Sequence, residues 1–175
     1  PFKKVKDYIK GFILDVGGKK KNPRGKFKLP LHYNVKYLNI DPETSPDILA
    51  SSDFIPLSDC SVDTVILTEV LEHLENPINT LKEIHRVLKH NGVLICSVPF
   101  LYRIHADPID CYRFTKTALQ NIFVEIGFDI LELKEQGYFF TVICDMIKQV
   151  ISEIKNKYLR VILALFFLPI AEFLI

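Results

Sequence analysis

Short apolar runs rich in β-branched residues alternate along this chain with longer segments that have a helical period. The runs that we predict to be strands are Phe12 to Val16, Lys36 to Ile40, Thr64 to Leu67 and Val93 to Val98. Because these runs are almost continuously apolar, they fit the central strands of a parallel sheet that is covered on both faces. The alternation with helices therefore predicts a doubly wound α/β domain.

The first well-marked helix is expected to pack on this sheet. Asn76 stands as its cap with Pro77 in the first turn, and Asn91-Gly92 marks its end. The residues that we expect to face the sheet are Ile78, Leu81, Ile84 and Leu88.

The second helix is predicted to begin at Thr115 and to end at Gly127, burying Leu119, Ile122, Phe123 and Ile126. After it, Phe128 to Leu133 and Tyr138 to Ile143 are expected to form an antiparallel edge hairpin with a tight turn at Gln136-Gly137. A third helix is predicted over Asp145 to Tyr158.

The size of the chain indicates a single domain. With 175 residues, of which 49% are hydrophobic, it can enclose one continuous core. We expect a core over about residues 12–143 and a helical extension over 144–175. The uncharged stretch Val161 to Ala171 is interrupted by Pro169 and is shorter than the roughly 20 apolar residues that span a bilayer. A final core helix, a dimer-forming helix and a membrane-surface helix all remain open for it.

The charge distribution and the cysteines indicate the cellular location of the protein. The net charge is +1, but the first 36 residues are strongly basic, which suits a solvated face or a surface that attracts phosphates or anionic lipid. The four cysteines form no CxxC pair, so neither a zinc knuckle nor a disulfide framework is predicted. No secretory signal is visible. We therefore expect a cytoplasmic protein and leave a peripheral membrane location open.

The residues directly after the strands are the main candidates for ligand binding, because ligands of open parallel sheets bind beyond the carboxyl ends of the strands. Asp15, Gly17 and Gly18 end the first strand, where glycine permits a sharp turn and a close approach to the backbone. Asp41 follows the second strand, 26 residues beyond Asp15, about where an acidic side chain accepts hydrogen bonds from a ribose diol.

Two further positions fit a nucleoside ligand. Asp53 can accept an adenine amino proton while Phe54 lies against the ring, and Glu69 follows the strand that ends near Leu67. There is no GxGxxG nicotinamide fingerprint and no GxxxxGK[ST] phosphate loop.

The ordered segments ILDVGG, YLNIDP, SSDFIPLSDCSVDTVIL, TEVLEHLENPINTLKEIHRVLKHNGVLICSVP and IGFDILEL resemble the class I S-adenosylmethionine methyltransferases, especially the type 11 group. The resemblance runs from about Phe12 to Leu133. It implies a Rossmann-like, mostly parallel sheet of seven strands in the order 3-2-1-4-5-7-6, with S-adenosylmethionine as cofactor. It also assigns roles: Asp15 and Gly17 on the methionine and ribose side, Asp41 on the ribose, Asp53 and Phe54 on the adenine, and Glu69 at the methyl-transfer pocket.

The first loop departs from the pattern of that family, which has more glycines there. This chain reads Gly17-Gly18-Lys19-Lys20-Lys21-Asn22-Pro23. We expect the helix that normally follows the first strand to be shortened or lost.

The segment from Pro99 to Thr115 carries the candidate acceptor chemistry. His105 with Asp107 is a candidate oriented base, and His73 is a second candidate. The candidate acceptor-binding residues are Tyr102, Asp110, Tyr112 and Arg113. An alternative is that Asp110 and Arg113 pair to pin the loop while Thr115 caps the helix. The spacing of His105, Asp107 and Asp110 matches no specific metal site, so no metal is expected.

These features lead to one function and two alternatives. The first is methyl transfer to an oxygen or nitrogen of a small-molecule or glycan-linked acceptor. The second is a degenerate cofactor-binding or scaffold protein of the same fold that recruits a partner through the basic N-terminal segment or the apolar C-terminus. A homodimer or membrane-surface contact through the apolar C-terminus is also left open. RNA methylation is a minor alternative that rests on the early lysines, and no DNA partner is expected.

Overall fold

The computed structural model describes residues 5–20, 33–104, 109–135 and 139–174. It forms two compact units. The first contains Pro1–Phe100 and Ile104–Leu133, and the second contains Leu101–Arg103 and Lys134–Ile175. The expectation of one domain with a core ending near residue 143 stays a prediction.

The first unit is built on a parallel sheet. Its strands are β1 (Phe12–Val16), β2 (Asn34–Asn39), β3 (Ile48–Leu49), β4 (Val62–Thr68) and β5 (Leu88–Ser97). They lie in the order β3-β2-β1-β4-β5, and every pairing is parallel. The predicted α/β class and the 3-2-1-4-5 part of the strand order are therefore confirmed, and all strand carboxyl ends meet at one edge of the sheet.

Alternating side chains divide the core between the two faces of the sheet. Leu14 and Val16 on β1 belong to the larger cluster, whereas the intervening position, Ile13, belongs to a smaller cluster with Ile9 and Ile66. This follows from the period of two in a strand. The larger cluster also contains residues from two helices, α1 (Pro77–Val87) and α2 (Lys116–Ile126).

Helix α1 is shorter than predicted. It ends at Val87, and Leu88 is buried as the first residue of β5 and not as part of the helix. Asn91-Gly92 lies within β5, where the pairing with β4 shifts register. The expected inward position of Ile78 is wrong: its side chain is 46% exposed, and Pro77 and Thr80 are buried instead. Asn76 occupies the cap position but makes no side-chain capping hydrogen bond.

Helix α2 follows the prediction closely. The Thr115 hydroxyl accepts a hydrogen bond from the Ala118 backbone N–H, and Gly127 ends the helix with φ +109°. Leu119 and Phe123 are buried. The end signals were decisive here because cap and glycine chemistry is local to the sequence.

The predicted edge hairpin is wrong. Phe128 to Leu133 forms no strand, and the second predicted strand lies in helix α3 (Phe139–Glu153) from residue 139 onward; Gln136, Gly137 and Tyr138 lie outside the described residues. The described residues thus give a five-stranded sheet, without the two further strands of the expected seven. The β-branched start of this run favours a strand locally. Its apolar spacing nevertheless continues at helical period to Ile151, so the helix forms.

The second unit consists mainly of α3 and helix α4 (Lys157–Leu174). The expected single helix over Asp145 to Tyr158 is therefore wrong, since a break at residues 154–156 separates the two. Asn156 accepts hydrogen bonds through its side chain from the backbone N–H groups of Tyr158 and Leu159, at 3.0 and 3.1 Å. Within the part of the chain that the structure describes, no helix has the length and apolarity needed to cross a membrane.

Candidate functional site at the carboxyl edge of the sheet

The loop after β1 is fixed by backbone geometry and by one amide side chain. Gly17 has φ +78°, and its N–H donates to the Leu38 carbonyl at 2.8 Å. The Asn39 side-chain amide donates to the carbonyls of Gly17 and Gly18, both at 3.1 Å. The buried end of β2 therefore holds the glycine turn in place.

Neither glycine in this turn has room for a side chain. A Cβ on Gly17 would lie 2.5 Å from the Val70 side chain, which follows β4. A Cβ on Gly18 would lie 2.4 Å from the carboxyl carbon of Asp15. The Asp15 carboxyl thus packs directly against the turn, and the loops after β1 and β4 are in contact.

Asp15 lies at the end of β1, between Tyr37 of β2 and Ile66 of β4. Burial raises the pKa of this carboxyl from its ordinary value to about 7, because the charged form loses hydration. The carboxyl also helps to raise the pKa of Tyr37, behind the larger effect of burial. No hydrogen bond or ion pair between described residues engages the Asp15 carboxyl. Its negative charge is therefore uncompensated by this part of the chain.

Asp41 is joined to the glycine turn through Asn39. Its backbone N–H donates to Asn39 Oδ1 at 3.0 Å, while its own carboxylate caps the short 3-10 turn Pro42–Thr44 by accepting from the Glu43 N–H at 2.9 Å. Asn39 thus uses its amide nitrogen on one loop and its amide oxygen on the next. The structure brings together the predicted residues Gly17, Gly18 and Asp41 through a residue that the sequence analysis did not select.

Asp53 and Phe54 lie on a segment that is anchored to α1. The buried Thr80 hydroxyl donates to Asp53 Oδ1 at 2.5 Å, and the Ile55 N–H donates to Glu83 Oε2 at 2.9 Å. Phe54 between them is 74% exposed. An exposed aromatic ring on an anchored segment is available to stack on a planar ligand.

Glu69, directly after β4, has a strained backbone. Its φ of +54° lies in the left-handed region, which residues other than glycine seldom adopt. Ser97 at the end of β5 holds it in two ways: the Ser97 carbonyl accepts from the Glu69 N–H at 3.0 Å, and the Ser97 hydroxyl donates to Glu69 Oε1 at 2.7 Å. The exposed carboxylate of Glu69 is therefore fixed between the ends of the two strands.

Glu72 was not selected from the sequence, yet it is the most unusual carboxyl in the described part of this edge. It is fully buried, and neither carboxyl oxygen has a hydrogen-bond partner among the described residues. Burial raises the pKa of Glu72 to about 7, and the nearby Glu69 carboxylate acts in the same direction. His73 Nε2 lies 3.5 Å from Glu72 Oε1 without forming a hydrogen bond.

The segment 109–113 is attached to the 3-10 turn Leu71–His73. The N–H groups of Cys111 and Tyr112 both donate to the Glu72 carbonyl, at 2.8 and 3.1 Å. His73 Nδ1 bonds to the Ile109 carbonyl. Since a carbonyl only accepts, Nδ1 carries the proton in this contact. These bonds attach the segment to the backbone of Glu72 and to the side chain of His73.

Arg113 and Asp110 form an ion pair with two hydrogen bonds, one of them 2.7 Å from Nη2 to Oδ2. This is the pairing that the sequence offered as the alternative to acceptor binding. Tyr112 stacks on Phe114 with ring centroids 5.4 Å apart and donates its hydroxyl to the Glu75 carbonyl at 3.2 Å. The segment is thus held by both backbone and side-chain contacts.

The remaining candidates are not among the described residues of the first unit. His105 and Asp107 lie outside the described residues. Tyr102 belongs to the second unit, where its side chain is 45% exposed.

Comparison with known proteins gives a family match over part of the chain. Residues 26–96 match the family model of the type 11 methyltransferases, described as a methyltransferase domain. The match includes Asp41, Asp53 and Glu69. It begins after the glycine turn, in agreement with the departure of that loop from the family pattern. Among curated proteins, none matches the chain in sequence.

Solved structures establish the fold. A S-adenosylmethionine-dependent methyltransferase from Methanosarcina mazei is 17% identical with a TM-score of 0.58, and the match covers 77% of this chain and 89% of that one. A Haloferax volcanii chain solved in complex with the Trm112 methyltransferase activator is 23% identical with a TM-score of 0.53. That match covers 69% of this chain but only 62% of the Haloferax chain. The cyclase SpnF is 17% identical with a TM-score of 0.53, and the match covers 83% of this chain and 62% of SpnF.

The family match covers 71 of the 175 residues, and the solved structures show that the chain has the fold of S-adenosylmethionine-dependent methyltransferases. S-adenosylmethionine carries a sulfonium and an ammonium group. Asp15 is complementary to these groups, because it is a desolvated carboxyl whose charge, once ionised, no described residue balances. The glycine turn beside it is closely packed, because the Val70 and Asp15 side chains fill the space that a Cβ on Gly17 or Gly18 would need. The carboxyl of Asp15 fits the positive charge of S-adenosylmethionine.

Three residues at this edge escaped the sequence analysis, namely Asn39, Ser97 and Glu72. Each contacts another segment: Asn39 the loop after β1, Ser97 the residue after β4, and Glu72, through its carbonyl, segment 109–113. The available signal was position, since Asn39 and Ser97 are polar residues at the ends of predicted apolar strands.

Proposed function

We propose that the chain transfers the methyl group of S-adenosylmethionine to an oxygen or nitrogen atom of a small-molecule or glycan-linked acceptor. The observation that carries the proposal is the link that Asn39 makes between the glycine turn and Asp41. It joins, at one edge of the sheet, the two segments that family resemblance assigns to the cofactor. The link is formed from protein atoms alone, so the cofactor meets a preformed site.

The roles of the site residues follow from their surroundings. Asp15 balances the positive charge of the cofactor's amino-acid part, with Gly17 and Gly18 permitting close approach. Asp41 uses one carboxylate oxygen to cap a turn, which leaves the other for ribose hydroxyls. Asp53 and Phe54 meet the adenine, and Glu69 borders the place of methyl transfer.

When bound, the cofactor supplies an electrophilic methyl group on a sulfonium. The contribution of the chain is to align the acceptor atom with that methyl group and to exclude water. A base is needed only where the acceptor must lose a proton. His105 and Asp107 are the proposed base. The contacts of His73, with Nδ1 on the Ile109 carbonyl and Nε2 toward Glu72, favour a role in holding segment 109–113.

On the acceptor side, Tyr102, Asp110, Tyr112 and Arg113 are the proposed binding residues. The Arg113 guanidinium is already paired with Asp110, so an anionic acceptor has to compete with that carboxylate. A neutral or cationic acceptor meets no such competition, and the exposed Glu69 carboxylate suits it better.

Isothermal calorimetry with S-adenosylmethionine and S-adenosylhomocysteine tests the proposal. We expect both to bind and Asp41→Ala to weaken the affinity about tenfold or more, because a charged hydrogen-bond acceptor is lost. Asp129→Ala, which removes an exposed carboxylate after α2, is the matched control and leaves binding unchanged. No binding at high micromolar ligand, with Asp41→Ala equal to the parent, contradicts the proposal.

The second candidate is a cofactor-binding or scaffold protein that does not transfer methyl groups. It is favoured by the altered first loop. The likeness to SpnF, described as a cyclase, adds that this fold also carries other chemistry. Binding of both ligands without S-adenosylhomocysteine formation over a broad acceptor panel supports this candidate.

RNA methylation remains the minor candidate. Part of the basic N-terminal region is engaged within the protein, because Lys20 and Lys36 both contact Asp47, at 2.9 and 3.6 Å. RNA affinity that falls steeply with salt concentration would favour this reading.

A further inference from the structure

Helix α4 exposes apolar side chains on the side where a water-facing helix normally carries polar ones. Tyr158, Ile162 and Leu165 are 82%, 63% and 72% exposed, and Val161 beside them is 47% exposed. Their spacing of three and four residues places them on one side of the helix. Leu163, Ala164 and Phe167 occupy the other side and are half-buried. We refer to Tyr158, Val161, Ile162 and Leu165 as the apolar face of α4.

Helix α2 in the first unit shows the ordinary pattern. Its exposed residues are polar except for Val124, and its apolar residues face the core. The apolar face of α4 reverses this arrangement, and Met146 and Val150 on α3 add two more exposed apolar side chains in the same unit. A group of this kind marks an interaction surface and not scattered surface residues.

Cations cluster at the start of α4. Lys155, Lys157 and Arg160 are exposed, and none of the ion pairs between described residues includes them. No acidic residue occurs from Ile154 to Ala171. Asn156 caps the helix among these cations, so the positive charges are held at the first turn, next to the apolar face.

We propose that the apolar face of α4 docks on a membrane surface that contains anionic lipid. Apolar side chains enter the boundary between headgroups and acyl chains, and Lys155, Lys157 and Arg160 meet the lipid phosphates. A second copy of the chain fits less well, because pairing two such faces brings like charges together without a described acidic partner. In this proposal the helix lies along the surface of the bilayer.

Vesicle sedimentation with the full chain tests this docking. We expect binding to vesicles of 70% phosphatidylcholine and 30% phosphatidylglycerol, weaker binding to pure phosphatidylcholine, and a decrease with added salt. Ile162→Glu should lower the partition coefficient about tenfold, because a charge replaces an apolar side chain that enters the bilayer in this proposal. Val124→Glu, on a residue of nearly equal exposure in α2, is the matched control and should bind as the parent does.

Charge reversal separates the electrostatic contribution. Lys155→Glu combined with Lys157→Glu should remove most of the preference for anionic vesicles, which supports the proposal. Circular dichroism on each variant establishes that the helices are retained.

Several outcomes overturn the proposal. One is an absence of vesicle binding by the folded parent, and another is equal loss of binding in Val124→Glu and Ile162→Glu. A dimer in light scattering that Ile162→Glu dissociates, without vesicle binding, assigns the apolar face to a second copy instead. The test is independent of the proposed methyl transfer, since S-adenosylhomocysteine calorimetry on Ile162→Glu reports the cofactor site separately.

Discussion

The two halves of the sheet edge are built in different ways. Around β1 and β2, the side chain of Asn39 satisfies the backbone of the glycine turn and the N–H of Asp41, and these hydrogen bonds are neutral and well directed. Around β4, Glu72 is buried with no hydrogen bond, and Glu69 adopts a strained φ. The first half is preorganised and the second stores electrostatic and backbone strain. Such strain gathers where ligands or moving segments act.

This comparison predicts the largest loss of cofactor affinity at the glycine turn. Gly17→Ala places a Cβ against Val70 and forces alanine to adopt a positive φ. We expect S-adenosylhomocysteine affinity to fall about 100-fold, measured by calorimetry. Gly127→Ala is the control, since it imposes a positive φ at the end of α2, far along the chain from the turn. If both variants lose affinity equally, the turn has no special part in binding.

A smaller loss is expected from Asn39→Asp. The variant keeps the shape and the oxygen that faces the Asp41 N–H, but it cannot donate to Gly17 and Gly18 and places a negative charge beside their carbonyls. We expect about a tenfold loss of affinity for S-adenosylhomocysteine. Asn79→Asp, at an exposed position of α1, makes the same chemical change as a control. An unchanged affinity in Asn39→Asp would show that the glycine turn keeps its conformation without the hydrogen bonds from the Asn39 side-chain amide.

In the half of the sheet edge around β4, we expect the smallest effect on cofactor affinity. Here the substitution, at Glu72, acts on the stability of the fold. The folded-state pKa is raised from 4.5 to about 7, so the stabilisation from the protonated carboxyl is complete below about pH 4.5 and is lost as the pH rises through 7. Glu72→Gln cannot ionise. We expect it to raise the free energy of unfolding by about 1–3 kcal/mol at pH 8 and to change it little at pH 4.5, in urea denaturation.

Glu83→Gln provides the opposite control for this measurement. Hydrogen bonding to Arg86 lowers the pKa of Glu83, so its stabilisation is present above about pH 4.5 and is lost on acidification. Removing that charge should destabilise the protein at pH 8. A Glu72→Gln variant that is also less stable at pH 8 would show that the ionised carboxylate has a favourable partner.

The sequence predicted the parts of the molecule that depend on local chemistry. The strand at Phe12 to Val16 is apolar except for Asp15, and Thr115 and Gly127 are end signals that act within a few residues. The edge hairpin failed because the β-branched residues at the start of α3 favour a strand locally, whereas packing over the whole helix decides the outcome. The preferences of neighbouring residues in the sequence carry no information about that packing.

The candidate site was predicted on the same local basis. Asp15, Gly17 and Asp41 were selected because each ends or follows a recognisable strand, and their roles toward a cofactor stay predictions. Asn39 and Ser97 could not be assigned roles, because their partners are set by the register between neighbouring strands. Glu72 required knowledge of burial, which the alternation of residues in a short 3-10 turn does not reveal.

The contact between Asp15 and Gly18 has a consequence for how this chain can change over evolutionary time. Space for a side chain at position 18 is filled by the carboxyl group three residues earlier. A larger residue at 18 is therefore tolerated only together with a shorter one at 15. The two positions are expected to vary jointly in descendants of this chain, so that the carboxyl at the end of β1 and the smallness of the turn are inherited as one trait.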